Sequence, residues 1–396
     1  MPKNTEKEIK TKNIVVVSHI YATGPAHSLE NFLKDKANSL LFIGHPFVFA
    51  KDRRSFYRYY KQGKLIKESY YSFTSKNQFV TIFKDILVTV SGVIKFGKFD
   101  IFIGVDNINS NTGIFLKILG LVKHVFFYTI DYIPTRFPNK VMNAIYHFLD
   151  TRAIKHSNVT WNLSSVMVSE REKKGIDKKF REKQIVVPMG TDSDVSTVPF
   201  EKLKRFHVAH MGHLLYKQGV QLLIESIPLI IKKYPKFHVD IIGGGDYESS
   251  LKEFASELHV EEYITFFGFI KDHAEVEKKL ATCIAGIAPY VDNEDNYVRY
   301  TDPGKIKAYL SAGLPIIVTD ITQIAKEIEK NKCGFAITYS KKDLSEAIIK
   351  LLKSDTLLKT FRHNATLMAK NYTWEKIFAR AFNSSLQIVN KSDIIR

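Results

Sequence analysis

The feature that most constrains this chain is one alternation, run through twice. Short β-branched or aromatic runs are separated by segments of helical period. That pattern builds βα units, because neighbouring parallel strands need a crossover and a helix supplies it compactly. In the first half the expected strands are Asn13–Ser18, Leu40–Gly44, Asp100–Val105, His124–Thr129, Val159–Trp161 and Gln184–Pro188. Amphipathic segments such as Phe79–Phe96 and Asn139–Lys155 lie between them. In the second half they are Phe206–Met211, Phe237–Ile242, Tyr263–Gly268, Cys283–Pro289, Pro315–Val318 and Gly334–Thr338. Helices are expected between these at Val220–Tyr234, Asp246–Leu258, His273–Leu280, Gly304–Ala312, Thr322–Glu329 and Lys342–Leu352. Each half therefore predicts its own doubly wound, Rossmann-like sheet. Two domains also suit 396 residues better than one ordinary core.

The stretches Lys178–Lys183 and Met189–Arg205 lack an apolar stripe, which puts the joint near Thr191–Glu201. The expected domains are 1–193 and 194–375, with 376–396 a helix returning toward the first. Two cysteines, Cys283 and Cys333, make no disulfide framework and have no metal-ligand spacing, so a reducing cytoplasm is expected. The charged N-terminus MPKNTEKEIKTKN is not a secretory signal. The longest apolar stretch, Ile114–Ile130, is broken by Lys117, Lys123 and His124, short of the roughly 20 clean residues that span a bilayer.

Charge is unevenly placed. Through residue 200 there are 30 Lys+Arg against 17 Asp+Glu, so +13 of the total +17 lies in the first half. A basic half implies an anionic partner such as lipid headgroups, a phosphate-bearing acceptor or nucleic acid, or else a solvated lysine-rich surface. The stretch Lys51–Tyr71 interleaves basic and aromatic residues. It suits stacking along a phosphate backbone, a membrane interface, or a solvated surface helix; membrane contact is the preferred reading.

Glycine turns mark the strand ends. Gly24, in SHIYATGPAHSLENFL, allows close backbone approach before a helix whose free N–H groups suit an anion. Gly212 ends a strand in HMGHLLYKQGV, and Lys217 stands just before the next helix, where it can neutralise a diphosphate. The triplet Gly243, Gly244 and Gly245 and the turn Gly268-Phe269 sit at equivalent ends. Ligands bind there in open α/β sheets. Asp302-Pro303-Gly304 forms a tight turn in which Asp302 caps the following helix, beside Lys305.

Taken together, Gly212…Lys217-Gln-Gly-Val, the Gly243 loop, Phe267-Gly268-Phe269 and Lys305…Gly313-Leu-Pro resemble glycosyltransferases of the GT-B fold. More narrowly, they resemble the large retaining family four, over roughly Phe206 to Phe378. The resemblance implies two Rossmann-like domains facing across a cleft. It also implies transfer from a nucleoside diphosphate sugar, UDP- or GDP-linked, with retention and without a metal or other cofactor. By the same resemblance, Lys217 binds the diphosphate and Gly243–Gly245 admit the nucleotide. His213 stands where the family has an arginine. Phe269 and Ile270 meet the base, and Thr301, Asp302, Pro303 and Gly304 cap the distal phosphate, with Asp302 near the sugar hydroxyls. The family's two glutamates fall at Tyr300 and Ala308, and both are absent. Losing the ribose acceptor is worth on the order of 1.5–3 kcal/mol.

In YTIDYIPTRF, Asp131 is the candidate catalytic group of the first domain, or alternatively a turn cap, and Arg136 is a candidate contact for an anionic acceptor. Asp192-Ser-Asp194 imitates a metal motif, but no metal role is expected of it. The expected acceptor is a lipid-linked glycan or other cell-envelope precursor, with the enzyme cytoplasmic or peripheral on the inner membrane face. A catalytically silent sugar-nucleotide-binding homologue would fit the lost glutamates. A nucleic-acid-binding protein would fit the charge, but no reader motif supports it and no nucleic acid partner is expected.

Overall fold

A computed structural model describes residues 2–20, 24–130, 132–191 and 197–394. The chain forms two compact units: Met1–Pro188 with Trp374–Arg396, and Met189–Thr373.

In the first unit the strands are β1 (Asn13–Ile20), β2 (Ser39–Pro46), β3 (Phe56–Lys61), β4 (Lys64–Tyr70), β5 (Phe99–Val105), β6 (Val122–Thr129), β7 (Val159–Asn162) and β8 (Gln184–Val186). They form one sheet in the order β4-β3-β2-β1-β5-β6-β7-β8. All pairings are parallel except β2–β3 and β3–β4. Val15, Val17, Leu41, Ile43, Phe102 and Val125 point from the central strands into one core. Strand order reverses between β1 and β5, the place where an open sheet leaves a crevice.

The β3–β4 hairpin rules out the surface-helix alternative for Lys51–Tyr71. Its turn residues Gln62 and Gly63 both have positive φ, 48° and 80°, as a two-residue hairpin turn requires. Four of the six β3 residues, Phe56, Tyr57, Tyr59 and Tyr60, are aromatic, and that strand preference wins over the segment's polarity.

The returning helix Trp374–Ile394 packs inside this unit. Phe378 and Phe382 lie 5.5 and 5.9 Å from the Phe32 ring, and Trp161 donates from Nε1 to Ser385 Oγ at 2.8 Å. Three helices of the unit, Gln78–Phe96, Asn107–Ile118 and Lys140–His156, lie side by side with an apolar outer surface. Phe79, Phe83, Leu87, Ile94, Ile118 and Phe148 are all exposed there. Among the described residues no helix is long and apolar enough to cross a membrane.

The second unit carries β9 (His207–Met211), β10 (His238–Ile242), β11 (Ile264–Phe266), β12 (Ala285–Ala288), β13 (Ile316–Thr319) and β14 (Gly334–Ile337). The sheet is wholly parallel, in the order β11-β10-β9-β12-β13-β14. Alternate residues feed two cores: Val208, Ile241 and Ile287 on one face, Ala209, Ile242 and Ala288 on the other. Burial on both faces is why these strands read as largely apolar runs. The order reverses between β9 and β12, which sets a crevice at their carboxyl ends.

Candidate functional site

In the second unit the turns beyond β9, β10 and β11 are laced together. The Gly212 amide donates to the Ile242 carbonyl at 2.9 Å, Leu214 to Gly244 at 3.0 Å, and Gly243 to Gly268 at 2.9 Å. Gly243 must be glycine. Its φ is +135°, and a Cβ there would stand 1.9 Å from the Gly212 carbonyl oxygen. The amides of His213, Gly244, Gly245, Gly304 and Lys305 donate to nothing among the described residues, so they are available to a ligand. Gly212, His213, Gly243, Gly244 and Gly245 thus come together, with Phe269 beside Gly244. Phe269 is 82% exposed, whereas Ile270 is half-buried against the core.

Lys305 enters this group from the helix Gly304–Ser311. Its Cε and Nζ lie 3.1 Å from where a Cβ on Gly212 would stand. Nζ donates to Gln218 Oε1 at 2.6 Å and lies 3.4 Å from His210 Nε2. His210 Nδ1 faces the Ile287 carbonyl at 3.0 Å, which can only accept, so Nε2 is left to accept from Lys305. Burial holds His210 well below its ordinary pKa, and the Lys305 ammonium presses in the same direction. Burial also lowers Lys305 itself, to about 7. Among the described residues no carboxylate pairs with Lys305. A half-buried cation with only neutral partners, at a switch point beside amides that have no acceptor, could receive an anion.

Other expected residues lie differently. Lys217 Nζ donates to the Asp295 carbonyl at 2.7 Å, so it ties down the loop after β12. Asp302 requires a correction, because it caps nothing. The N-cap is Pro303, and the Asp302 carboxylate accepts from Lys307 Nζ at 2.7 Å and from the Met189 amide at 2.8 Å. It is 8% exposed, so it braces its loop from within and does not reach out to a sugar. Thr301 is half-buried in the same loop. Ala308 packs against the core, and the Tyr300 hydroxyl donates to the Glu294 carbonyl at 3.3 Å, so neither position offers a carboxylate.

In the first unit Gly24 is the extended N-cap of the helix Pro25–Lys34, with open space where a Cβ would go. The Arg136 guanidinium lies over the Tyr146 ring at 5.6 Å. Asp131, Asp192, Ser193 and Asp194 lie outside the described residues. His207, His238 and Asp240 make a group of metal-ligating type at the opposite, amino-terminal edge of the second sheet, where His207 and Asp240 are 3.1 Å apart.

Sequence reasoning missed the polar group at the reversal point of the first sheet. His19, near the end of β1, has Nδ1 2.6 Å from Asp106 Oδ2 and Nε2 3.3 Å from Asp85 Oδ2. Asp85, 1% exposed, also meets Lys84 Nζ at 2.8 Å, His45 Nδ1 at 3.2 Å and Ser55 Oγ at 3.1 Å. Burial opposes charge on His19, yet Asp106 and Asp85 outweigh it and push its pKa up to about 10. Burial would likewise raise Asp85, but hydrogen bonds from His19, His45 and Lys84 hold it well below the usual carboxylate range. Burial lowers His45 despite Asp85, so it is neutral. No spacing rule links residues so far apart in sequence.

With the geometry in hand, residues 205–354 match the family described as Glycosyl transferases group 1. The chain resembles family-four GT-B glycosyltransferases. An uncharacterized glycosyltransferase of Haemophilus influenzae is 22% identical over 349 residues, covering 86% of this chain and 88% of that protein. The structure of Anabaena HepE in complex with UDP superposes with a TM-score of 0.69 at 13% identity, covering 95% of this chain and 99% of that one. Sucrose-phosphate synthase from Thermosynechococcus elongatus gives 0.70 at 12% identity, covering 97% and 99%. The two sheets, the first parallel apart from its β3–β4 edge, belong to the two Rossmann-like domains of a GT-B fold, and glycosyltransferase function is the activity these likenesses support.

Proposed function

We propose that the protein is a retaining, metal-independent glycosyltransferase. It would move a sugar from a UDP- or GDP-sugar to a hydroxyl of a lipid-linked glycan or other cell-envelope precursor. The observation that carries this reading is Lys305, half-buried and, among the described residues, without a carboxylate partner, beside Gly212 at the crevice of the second sheet. The diphosphate lies against Lys305 and the unbonded amides of His213, Gly244, Gly245 and Gly304. Lys217 releases the Asp295 carbonyl to reach it. Phe269 stacks on the base, and its neighbour Ile270 flanks that contact. Asp302, bound to Lys307 and Met189, sets the loop Thr301–Gly304 in place. Such fixed positive charge does for the departing diphosphate what a metal does elsewhere. The acceptor oxygen attacks the anomeric carbon on the face from which the diphosphate leaves. The carbon–phosphate oxygen bond breaks, and the leaving phosphate takes the hydroxyl proton. Asp131 is the proposed polar group near the transferred sugar, and Arg136 a contact for an anionic acceptor.

HepE is a UDP complex, which supports the donor class. A lipid acceptor draws support from a phosphatidyl-myo-inositol mannosyltransferase of Mycolicibacterium smegmatis, 21% identical over 165 residues, covering 41% of this chain and 40% of that protein. It also fits the exposed apolar helices and the basic first half, which together suit peripheral contact with an anionic inner membrane face. The empty glutamate positions at Tyr300 and Ala308 favour one second reading, a homologue that binds the sugar nucleotide without transferring it. Thermal shift against UDP, GDP, ADP and their sugars, followed by radiolabel transfer, separates the two. Lys217→Ala is expected to lower turnover strongly; near-normal transfer by that variant contradicts its assignment.

A further inference from the structure

We propose that Asp106 is an acceptor-binding carboxylate, which receives a hydroxyl of a sugar ring seated against Phe47 and Phe49, with His19 and Asp85 as its positioning residues. The inference rests on the glycosyltransferase reading and adds where the acceptor is gripped.

Asp106 follows β5 at the reversal point of the first sheet. Its φ of 107° and ψ of 170° put a non-glycine residue in sparsely populated backbone space, a choice that concentrates at functional sites. A helix cap alone does not require this, since cap residues ordinarily adopt the extended region. The carboxylate is also over-supported. Oδ2 takes His19 Nδ1 at 2.6 Å and Asn109 Nδ2 at 2.7 Å, and Oδ1 takes the Asn109 amide at 2.8 Å. An ionised carboxylate has about four acceptor positions, so one on Oδ1 is open. The side chain is 29% exposed, against 1% for Asp85 and 15% for His19, so Asp106 is the group of the three that a ligand reaches.

The chemistry of that ligand follows from charge. Asp85 and Asp106 are balanced by His19 and Lys84, with His45 neutral. A cation gains little from a carboxylate already paired, whereas a hydroxyl needs only the open lone pair. The Phe47 ring lies 5.6 Å from His19 and is stacked on Phe49 at 5.3 Å, and Phe49 is 67% exposed. Aromatic surface that meets Asp106's partner His19, with Phe49 largely exposed, suits the apolar face of a pyranose.

The test uses the full chain, the sugar nucleotide that raises its melting temperature, and octyl glycosides of glucose, galactose, mannose and N-acetylglucosamine as acceptors. Asp106→Asn keeps a capping oxygen and is expected to lower acceptor kcat/KM by about 10- to 100-fold, the loss of a hydrogen bond to a charged group. Phe49→Ala removes an exposed ring and should raise acceptor KM by about 2- to 10-fold. His19→Gln should raise acceptor KM in the same direction, which a purely structural role would not single out. UDP affinity should be unchanged in all three. Wild-type acceptor KM in both Asp106→Asn and Phe49→Ala overturns the proposal, as does a loss of UDP affinity parallel to the loss of transfer. Transfer by the wild type to no member of the panel overturns the proposed function, and this inference falls with it.

Discussion

A diphosphate that settles against Lys305 should draw a proton out of solution. Without ligand, burial holds this ammonium near pKa 7, with Gln218 and His210 as neutral partners. A doubly charged neighbour favours the protonated form and moves the pKa back up toward that of an ordinary lysine. The free site is then about half charged at pH 7 and about one per cent charged at pH 9. If only the charged form binds, affinity for UDP falls about 50-fold between those pH values. The terminal phosphate adds little to this trend, because its second ionisation lies near about pH 6. Calorimetric titration of UDP in two buffers of different ionisation heat measures the uptake directly. About half a proton is expected at pH 7 and close to one at pH 9. Lys305→Met should bind more weakly at pH 7 and lose both the uptake and the pH slope. An equal slope in the two proteins, or no uptake by the wild type, refutes the assignment of Lys305 as the anion's seat.

Three further outcomes follow from the same structure. Gly243→Ala forces a Cβ toward the Gly212 carbonyl at a positive φ, and should destabilise the second unit by about 1–3 kcal/mol while weakening UDP binding; thermal unfolding and titration check both. Asp302→Ala strands the fully buried Lys307 ammonium and should cost about 3–5 kcal/mol in urea unfolding, with Met189 losing an acceptor as well. His19 has a folded pKa raised to about 10, so its stabilisation is complete below its unfolded value of about 6.5 and is lost as pH rises toward 10. The stability gap between wild type and His19→Gln should therefore narrow from pH 7 to pH 10 in denaturant titrations; a gap that stays constant or widens refutes the charged imidazolium.

Most strands could be read because each is largely an apolar run bounded by turn residues, with only a few polar residues such as His210 and Asp240 to blur it. The β3–β4 hairpin was harder, because its charged residues mask the strand-forming aromatics of β3 and neither strand alternates cleanly. The helix Asp355–Ala369 was missed because the preceding helix ends at Lys353, with a single residue between. That residue, Ser354, turns the chain and caps the next helix, accepting from the Leu357 amide at 3.2 Å. Glycines at strand ends pointed to the crevice of the second sheet, since each marks a backbone that must pass another closely. Asp302 was misjudged because its partner Lys307, five residues on, folds back through tertiary packing; an aspartate before a proline reads as a cap. Asp85, His19 and Asp106 carry no local signal, since they become neighbours only when β1, β5 and a helix between them are assembled.

The path of the backbone has its own consequence for synthesis. Residues Met189–Thr373 are contiguous, while the other unit is closed by a helix encoded after them. On the ribosome the unit Met189–Thr373 can complete its structure first. The earlier half meanwhile waits with Trp161 and Phe32 uncovered, until Phe378 and Phe382 emerge to shield them. A chain cut short near residue 373 would leave that greasy seam bare, and aggregation of the N-terminal half, with the other half still able to take up UDP, is how such a truncation should declare itself.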